Sequence, residues 1–169
     1  MNEQHLNNLL KNVPNYHGSF AANELNEVKI NDSPVLLLVN YDERSDIGSH
    51  WIGVAIFLKQ VYICDSLGGI APTKYLSQGW INFLYILSQT RELIMTKQLQ
   101  PIESYRCGLY AALFINEMSR NSFQDFLKVF TNDLQKNDVI VQFLYKHKIK
   151  SNFNGKAFVH AKSLPYNQQ

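Results

Sequence analysis

The sequence predicts an α+β domain in which helices pack around a small, mostly antiparallel central sheet. Three observations predict this fold class. Short β-rich runs lie together in the middle of the chain, at residues 35–39, 51–58 and 61–64. Segments whose apolar residues recur at helical spacing stand before and after these runs. One of them, Cys107–Met118, is apolar almost all round, which is typical of a buried central helix.

The first half of the chain contains one helical pattern and three strand patterns. Leucines at helical spacing predict an amphipathic first helix over Glu3–Leu10. The continuous aliphatic run 35–39 predicts a buried strand, and the polar stretch 41–49 predicts a loop. Only two residues separate the runs 51–58 and 61–64, so we expect these two strands to form a hairpin.

The second half is mainly helical. The spacing of apolar residues predicts a helix over 73–89, and a short strand follows at 93–95. Cys107–Met118 is the predicted central helix, at whose first residue we expect a nucleophile. Apolar stripes predict two further helices over 123–130 and 139–145. Because the predicted strands form a small sheet from the middle of the chain and helices wrap it, the pattern indicates an α+β arrangement.

Composition limits the domain count and the class of protein. The chain has 169 residues, of which 46% are hydrophobic and 18% charged, with a net charge of +2. These values fit one domain over residues 1–169 without a strongly charged partner for the whole molecule. Two cysteines without a CxxC pair exclude a disulfide-rich miniprotein and a cysteine-based zinc site. The sequence has no signal-peptide pattern and no membrane-length apolar run, so we expect a soluble protein that is not secreted.

The two cysteines differ in their surroundings. Cys64 ends an aliphatic run, where a thiol behaves as a small buried hydrophobe. Cys107 follows a polar stretch and opens the predicted central helix. A thiol at a helix N-terminus faces free backbone N–H groups and the positive end of the helix dipole, which favour the thiolate. Cys107 is therefore the candidate nucleophile, and a helix-start cysteine without a chemical task is the alternative.

A nucleophilic cysteine needs a base, and His50 is the best placed histidine. It stands immediately before an apolar strand. By contrast, His5 lies on the polar side of the predicted first helix, His17 in an irregular stretch, and His147 and His160 in the basic region after Asp138. Asp65 ends the second strand of the predicted hairpin, so its carboxylate is expected beside His50, accepting from Nδ1–H. The alternatives are a polar residue that caps a strand for His50 and a turn-forming residue for Asp65.

An acyl-transfer site also needs donors for the oxyanion. The side-chain amide of Gln100, shortly before Cys107, is a suitable neutral donor, and the backbone N–H of Cys107 would be the second. Gln98 is a rival that spacing alone does not exclude.

The order His50, Asp65, Gln100, Cys107 resembles that of the adenain-type viral cysteine proteases, within the clan that includes the SUMO-deconjugating proteases. The matching segments are GSHWIGVAIF, VYICDSLGG and QPIESYRCGLYAALF. The six residues between Gln100 and Cys107 are similar to adenain. The DSLG at Asp65 instead resembles the SUMO proteases, because adenain has Glu there. The resemblance extends over about residues 35–118.

The resemblance implies a cysteine endopeptidase with an adenain-like fold. Cys107 would attack the scissile carbonyl, His50 would exchange the proton, and Asp65 would orient His50. Gln100 and the Cys107 amide would hold the oxyanion. The family cleaves after small residues, usually Gly, in precursors of viral or virus-like capsid and core proteins.

The same resemblance implies two residues that bind substrate, and it shows one position at which this chain differs from the SUMO proteases. Trp51 would form a wall of the narrow substrate tunnel, with Gly48 beside it. The SUMO-protease branch has Asp where this chain has Arg106.

Partners and location follow from the resemblance and from charge. No cofactor is expected for the chemistry itself. Adenain uses DNA as a cofactor, and here the region after Asp138 holds five lysines and no acid, so DNA could bind there; a solvated basic surface is the alternative. Residues 85–91 contain no cysteine, so activation through a disulfide-linked peptide is not expected. The expected location is the virion and the host nucleus or cytoplasm.

Two other functions remain open from the sequence. A deconjugating or processing protease for a SUMO- or ubiquitin-like modifier would use the same chemistry on a different substrate. A non-catalytic DNA-binding or scaffolding protein would keep the fold without the activity. The presence of all four chemical groups favours the enzyme.

Overall fold

The computed structural model of the protein describes residues 1–30, 33–46, 49–69, 77–120 and 122–149. The strands are β1 (Tyr16–Phe20), β2 (Val35–Asn40), β3 (Trp51–Ile56), β4 (Gln60–Cys64) and β5 (Glu92–Met95). The helices are α1 (Glu3–Leu10), α2 (Gln78–Ser88), α3 (Cys107–Met118), α4 (Phe123–Leu127) and α5 (Leu134–Leu144). A 3₁₀ helix (Ala22–Glu27) follows β1, and a π-helical turn (Tyr145–Ile149) follows α5.

The five strands form one sheet in the order β1-β2-β3-β4-β5. The central pairs β2–β3 and β3–β4 are antiparallel, whereas the outer pairs β1–β2 and β4–β5 are parallel. The sheet is therefore mixed, and the prediction of a mostly antiparallel sheet is wrong. The reason lies in the connections: the 3₁₀ helix joins β1 to β2, and α2 joins β4 to β5. Such crossovers return the chain in the same direction.

Both faces of the sheet are covered by helices. Alternate residues of β2 point to opposite faces: Leu36 and Leu38 belong to the core beside α3, whereas Val35, Leu37 and Val39 belong to the core beside α2. This double burial explains the continuous aliphatic run that predicted the strand. The α+β class is confirmed.

Helix α3 is the centre of the larger core. All twelve of its residues are buried, as the sequence predicts. It approaches β3 closely at Gly53, where an added Cβ would stand 2.5 Å from the ring of Phe114. Full burial of an aromatic ring such as Phe114 stabilises the fold by about 1.5–3 kcal/mol. This packing fixes the N-terminal end of α3, and hence Cys107, over the start of β3.

Helix bounds differ from the predicted ones where polar residues begin or end a helix. Helix α2 begins after Ser77, whose hydroxyl accepts from the N–H of Trp80. The predicted start of this helix falls within residues 70–76, which lie outside the described residues. Helix α5 begins five residues before its apolar stripe, because Asp133 caps its first turn.

Strand β1 was not predicted. His17 lies in this strand rather than in an irregular stretch, and the register shifts between Tyr16 and Gly18. Gly18 has a φ of +116°, a conformation that glycine adopts readily. The bulge interrupts the alternation by which a strand is recognised in a sequence.

No helix in the described ranges is both long and apolar enough to cross a bilayer. The predicted substrate residue Gly48 and the lysine-rich residues 150–169 lie outside the described residues. Lys146, the first lysine after Asp138, lies among the described residues and is exposed.

Candidate active site

The β3–β4 hairpin brings His50 and Asp65 together. Because the two strands are antiparallel, with Gly53 opposite Cys64, the residue before β3 and the residue after β4 share one edge of the sheet. His50 Nε2 lies 2.8 Å from Asp65 Oδ1. Only 11% of the His50 side chain and 4% of the Asp65 side chain are exposed, so the pair is sheltered from solvent.

The imidazole uses a different nitrogen from the one expected. Asp65 contacts Nε2, and the expectation of a bond to Nδ1–H is wrong. Nδ1 is then the nitrogen left for the side-chain hydrogen bond that joins His50 to Cys107.

Cys107 is held by hydrogen bonds that favour the thiolate. Burial by itself raises the pKa of the Cys107 thiol. Hydrogen bonds from His50 and from the backbone N–H groups of Trp51 and Gly108 outweigh burial and hold the pKa below its ordinary value. Only 9% of the residue is exposed, so Cys107 is sheltered from bulk solvent.

The pKa of His50 is shifted in the opposite direction. Burial lowers the pKa of the imidazole, but the hydrogen bonds to Asp65 and Cys107 outweigh it and raise this pKa to about 9. A lowered thiol pKa beside a raised imidazole pKa is the signature of a thiolate–imidazolium pair. The two shifts both favour a thiolate on Cys107 beside an imidazolium on His50.

Cys64 has no histidine beside it among the described residues, and its hydrogen bond with Thr96 does not offset burial. It is 1% exposed, and burial together with the charge of Asp65 raises the pKa of its thiol. The sequence prediction of a small buried hydrophobe agrees with this environment.

Asp65 also begins the turn that ends β4. Its Oδ1 accepts from the N–H of Leu67 at 3.0 Å, and its carbonyl accepts from the N–H of Gly68 at 3.1 Å and from the hydroxyl of Thr96 at 2.9 Å. The two roles weighed for this residue, orienting His50 and forming a turn, are therefore combined in one side chain. The turn fixes the carboxylate before substrate arrives.

Gln100 is fully buried, and both ends of its amide are held. Oε1 accepts from the hydroxyl of Ser66 at 2.6 Å, and Nε2 donates to the carbonyl of Ser104 at 2.9 Å. The carbonyl of Ser66 in turn accepts from the N–H groups of Leu99 and Gln100. These contacts fix the rotamer and leave the second Nε2–H as a donor of set direction. Ser66 was not predicted to serve the site, because nothing in its spacing from Gln100 marks the pair.

The rival donor Gln98 is half-buried, and its Nε2 donates to the carbonyl of Gln100 at 3.0 Å. This amide therefore supports the Gln100 backbone. An added Cβ at Gly68 would stand 2.7 Å from the Cβ of Gln98, and Gly68 has a φ of +98°. Glycine is thus required at the point where the Asp65 turn packs on the backbone of Gln98.

Trp51 lies mostly inside the core, with 8% exposed. Its indole Nε1–H donates to the carbonyl of Met1 at 3.2 Å, and its backbone N–H faces the Cys107 thiol. The ring also packs near the first turn of α3, 3.5 Å from where a Cβ of Gly108 would stand. Its predicted contact with substrate stays a prediction.

An open cavity of about 450 Å³ lies beside the N-terminal end of α3. Arg106, directly before Cys107, lines it together with Leu109, and the start of α1 and Tyr145 close the other side. Tyr145 is hydrogen-bonded to the ring of His5 at 2.8 Å. No cluster of His, Cys, Asp and Glu in the described part of the chain is suited to a metal ion.

The sequence matches no protein-family model and no curated protein. Among solved structures, the fold is similar to the central domain of the uncharacterized Lpg1148 protein from Legionella pneumophila, with a TM-score of 0.55 and 10% identity over 91% of this chain and 98% of that one. That likeness is one of fold.

Other structural matches have lower TM-scores. The SUMO protease Ulp1 with its catalytic cysteine oxidized to a sulfinic acid matches at 0.44 and 16% identity, over 85% of this chain and 74% of that one. The ASFV pS273R protease matches at 0.39 and 15% identity, over 64% of this chain and 43% of that one.

Proposed function

We propose that this chain is a cysteine endopeptidase whose nucleophile is Cys107. The observation that carries the proposal is the Asp65–His50 hydrogen bond of 2.8 Å beside Cys107. The imidazole interacts in turn with the Cys107 side chain, at the first residue of a buried helix. A nucleophile, a base and a group that orients the base, in contact and sheltered, are the parts that acyl transfer requires.

The first half of the proposed reaction uses the thiolate and the imidazolium. Cys107 Sγ attacks the scissile carbonyl carbon, and the carbonyl oxygen becomes an oxyanion. Two groups donate to this oxygen: the second Nε2–H of Gln100 and the backbone N–H of Cys107. The Cys107 N–H can do so because the first N–H groups of a helix have no partner within the helix. His50 Nδ1–H then gives its proton to the leaving amine, and a thioester remains on Cys107.

The second half returns the enzyme to its starting state. Neutral His50 accepts a proton from water at Nδ1, and the hydroxide that forms attacks the thioester carbonyl. The same donors hold the second oxyanion, and the carboxylic acid product leaves as the thiolate re-forms beside the imidazolium. Asp65 keeps the ring in place throughout through Nε2.

The substrate class rests on the sequence resemblance. It consists of precursor proteins of a viral or virus-like capsid or core, cleaved after a small residue such as Gly, in the virion or the host cell. The proposal includes DNA as an activating partner that binds the lysine-rich region after Asp138, for which the support is charge segregation.

The direct test is cleavage of fluorogenic peptides that carry Gly before the scissile bond. We expect turnover by the natural protein and none by Cys107→Ala, while Cys64→Ala serves as the matched control and retains turnover. No cleavage of any Gly-containing peptide would contradict the endopeptidase. Cleavage confined to a Gly-Gly-ended modifier fusion would instead assign the deconjugating activity.

A further inference from the structure

Two neighbouring residues of α5, Asn137 and Asp138, reach the loop before Cys107 from the far side of the core. Both are buried, with 0% and 7% exposed. Asp138 Oδ2 accepts from Arg106 Nη1 at 2.8 Å, and Asp138 Oδ1 accepts from the hydroxyl of Tyr110 at 3.0 Å. Asp138 therefore contacts both Arg106, the residue before the nucleophile, and Tyr110, in the first turn of α3.

Asn137 holds the other end of the same loop. Its Nδ2 donates to the carbonyl of Leu99 at 3.0 Å and to the carbonyl of Thr131 at 3.0 Å. Its Oδ1 accepts from the N–H of Thr131 at 2.8 Å, so the amide is held on both sides. Leu99 directly precedes Gln100 in the chain.

The loop between these anchors has little apolar packing of its own. Ile102 is 76% exposed and Tyr105 is 94% exposed. A segment with such exposed side chains is not positioned by burial. Polar contacts therefore supply much of its order. Gln100 bonds to Ser66 and Ser104, and Asn137 and Asp138 bond to the two ends of the loop, at Leu99 and Arg106.

We propose that Asn137 and Asp138 are positioning residues that set the geometry of the oxyanion site. They fix the backbone next to Gln100 and the backbone next to Cys107, and so hold the two oxyanion donors at their separation. This inference rests on the proposed function. It also gives Arg106 a role: where the SUMO-protease branch has Asp, this chain has a cation whose partner is Asp138.

The test compares Asp138→Asn with the natural protein in three measurements. We expect kcat for a Gly-containing peptide to fall by about 10- to 100-fold with KM little changed, because small displacements of catalytic groups cost about that much. The affinity for a peptide aldehyde, whose adduct with Cys107 carries an oxyanion, should fall by a similar factor. The alkylation rate of Cys107 by iodoacetamide should not change, because His50 and Asp65 are untouched.

Asp133→Asn is the matched control on the same helix. Asp133 caps α5 and is far less sheltered than Asp138, and asparagine caps a helix about as well as aspartate. This variant should retain kcat and aldehyde affinity. A second variant, Arg106→Gln, breaks the same ion pair at its partly exposed end. It replaces Asp138→Asn in the test if that variant fails to fold, and it should also lower kcat and aldehyde affinity.

The outcomes separate the inference from the proposed function. A folded Asp138→Asn or Arg106→Gln with natural kcat and aldehyde affinity would overturn the positioning role while leaving the endopeptidase standing. A parallel loss of alkylation rate would also overturn it, because the defect would then extend beyond the oxyanion site. If the natural protein neither cleaves peptides nor binds the aldehyde, the proposed function itself fails, and the inference fails with it.

Discussion

His50 and Asp65, fifteen residues apart in the chain, meet at 2.8 Å through the imidazole Nε2. The contact directs Nδ1 toward Cys107 and supplies part of the stabilisation that raises the pKa of His50 to about 9. The hairpin between β3 and β4 therefore does more than add two strands to the sheet. It determines which nitrogen of His50 is left to face Cys107.

The two cysteines should differ sharply in reactivity. In the folded protein at neutral pH, iodoacetamide should modify Cys107 well before Cys64, because the Cys107 pKa is lowered and the Cys64 pKa is raised. Peptide mapping by mass spectrometry after brief exposure measures this. Preferential modification of Cys64 would show that the nucleophile is assigned to the wrong residue.

The pH dependence of kcat/KM should be bell-shaped. As pH falls below the lowered pKa of Cys107, the thiolate is protonated and activity is lost. As pH rises past about 9, the imidazolium of His50 loses its proton and the leaving amine lacks a donor. The rate of Cys107 alkylation, followed against pH, should show the same acid limb, and a midpoint at or above the ordinary thiol pKa would contradict the ion pair.

Asp65→Asn should lower kcat by as much as the roughly 10²–10⁴-fold that positioned acid–base catalysis supplies. The substitution preserves the shape of the turn residue but removes the charge that stabilises the imidazolium, so the basic limb of the pH profile should move below about 9. Asp125→Asn, an exposed carboxylate on α4, is the control and should leave both quantities unchanged. An unshifted basic limb in Asp65→Asn would argue against the Nε2 contact.

Gln100→Ala should lower kcat by about 10²–10³-fold, the usual cost of one oxyanion donor. Gln98→Ala should have a smaller effect, because the Gln98 amide contacts the Gln100 carbonyl rather than the reacting oxygen. Steady-state kinetics of the two variants on one peptide decide between them. The reverse order would transfer the donor role to Gln98.

Joint substitution of Lys146, Lys148 and Lys150 by Ala should weaken DNA binding for all sequences alike, because phosphate contacts carry no base information. Binding of duplex DNA to the natural protein should also fall steeply with salt. Fluorescence anisotropy at low and moderate salt measures both, and peptide cleavage without DNA should be unchanged in the triple variant. No binding at low salt would leave this region as a solvated basic surface.

Local patterns in the sequence sufficed for the elements that build the site. The apolar run of α3 and the paired strands β3 and β4 were recognisable because burial imposes a short-range period or a continuous aliphatic run. His50 and Asp65, at the ends of the paired strands, could then be assigned to the same end of the sheet, and Cys107 to the start of the central helix. The helix-end position of Cys107 also indicated the direction of its pKa.

Long-range packing decided the remaining features. Strand direction at the sheet edges depends on how the chain crosses over, so the parallel pairs of β1 and β5 have no local signature. The nitrogen that Asp65 contacts depends on how the two side chains meet across the β3–β4 hairpin. Asn137 and Asp138 reach Leu99 and Arg106 across more than thirty residues of chain, and hydrogen bonds of that span leave no spacing in the sequence, because only the packed core brings their partners together.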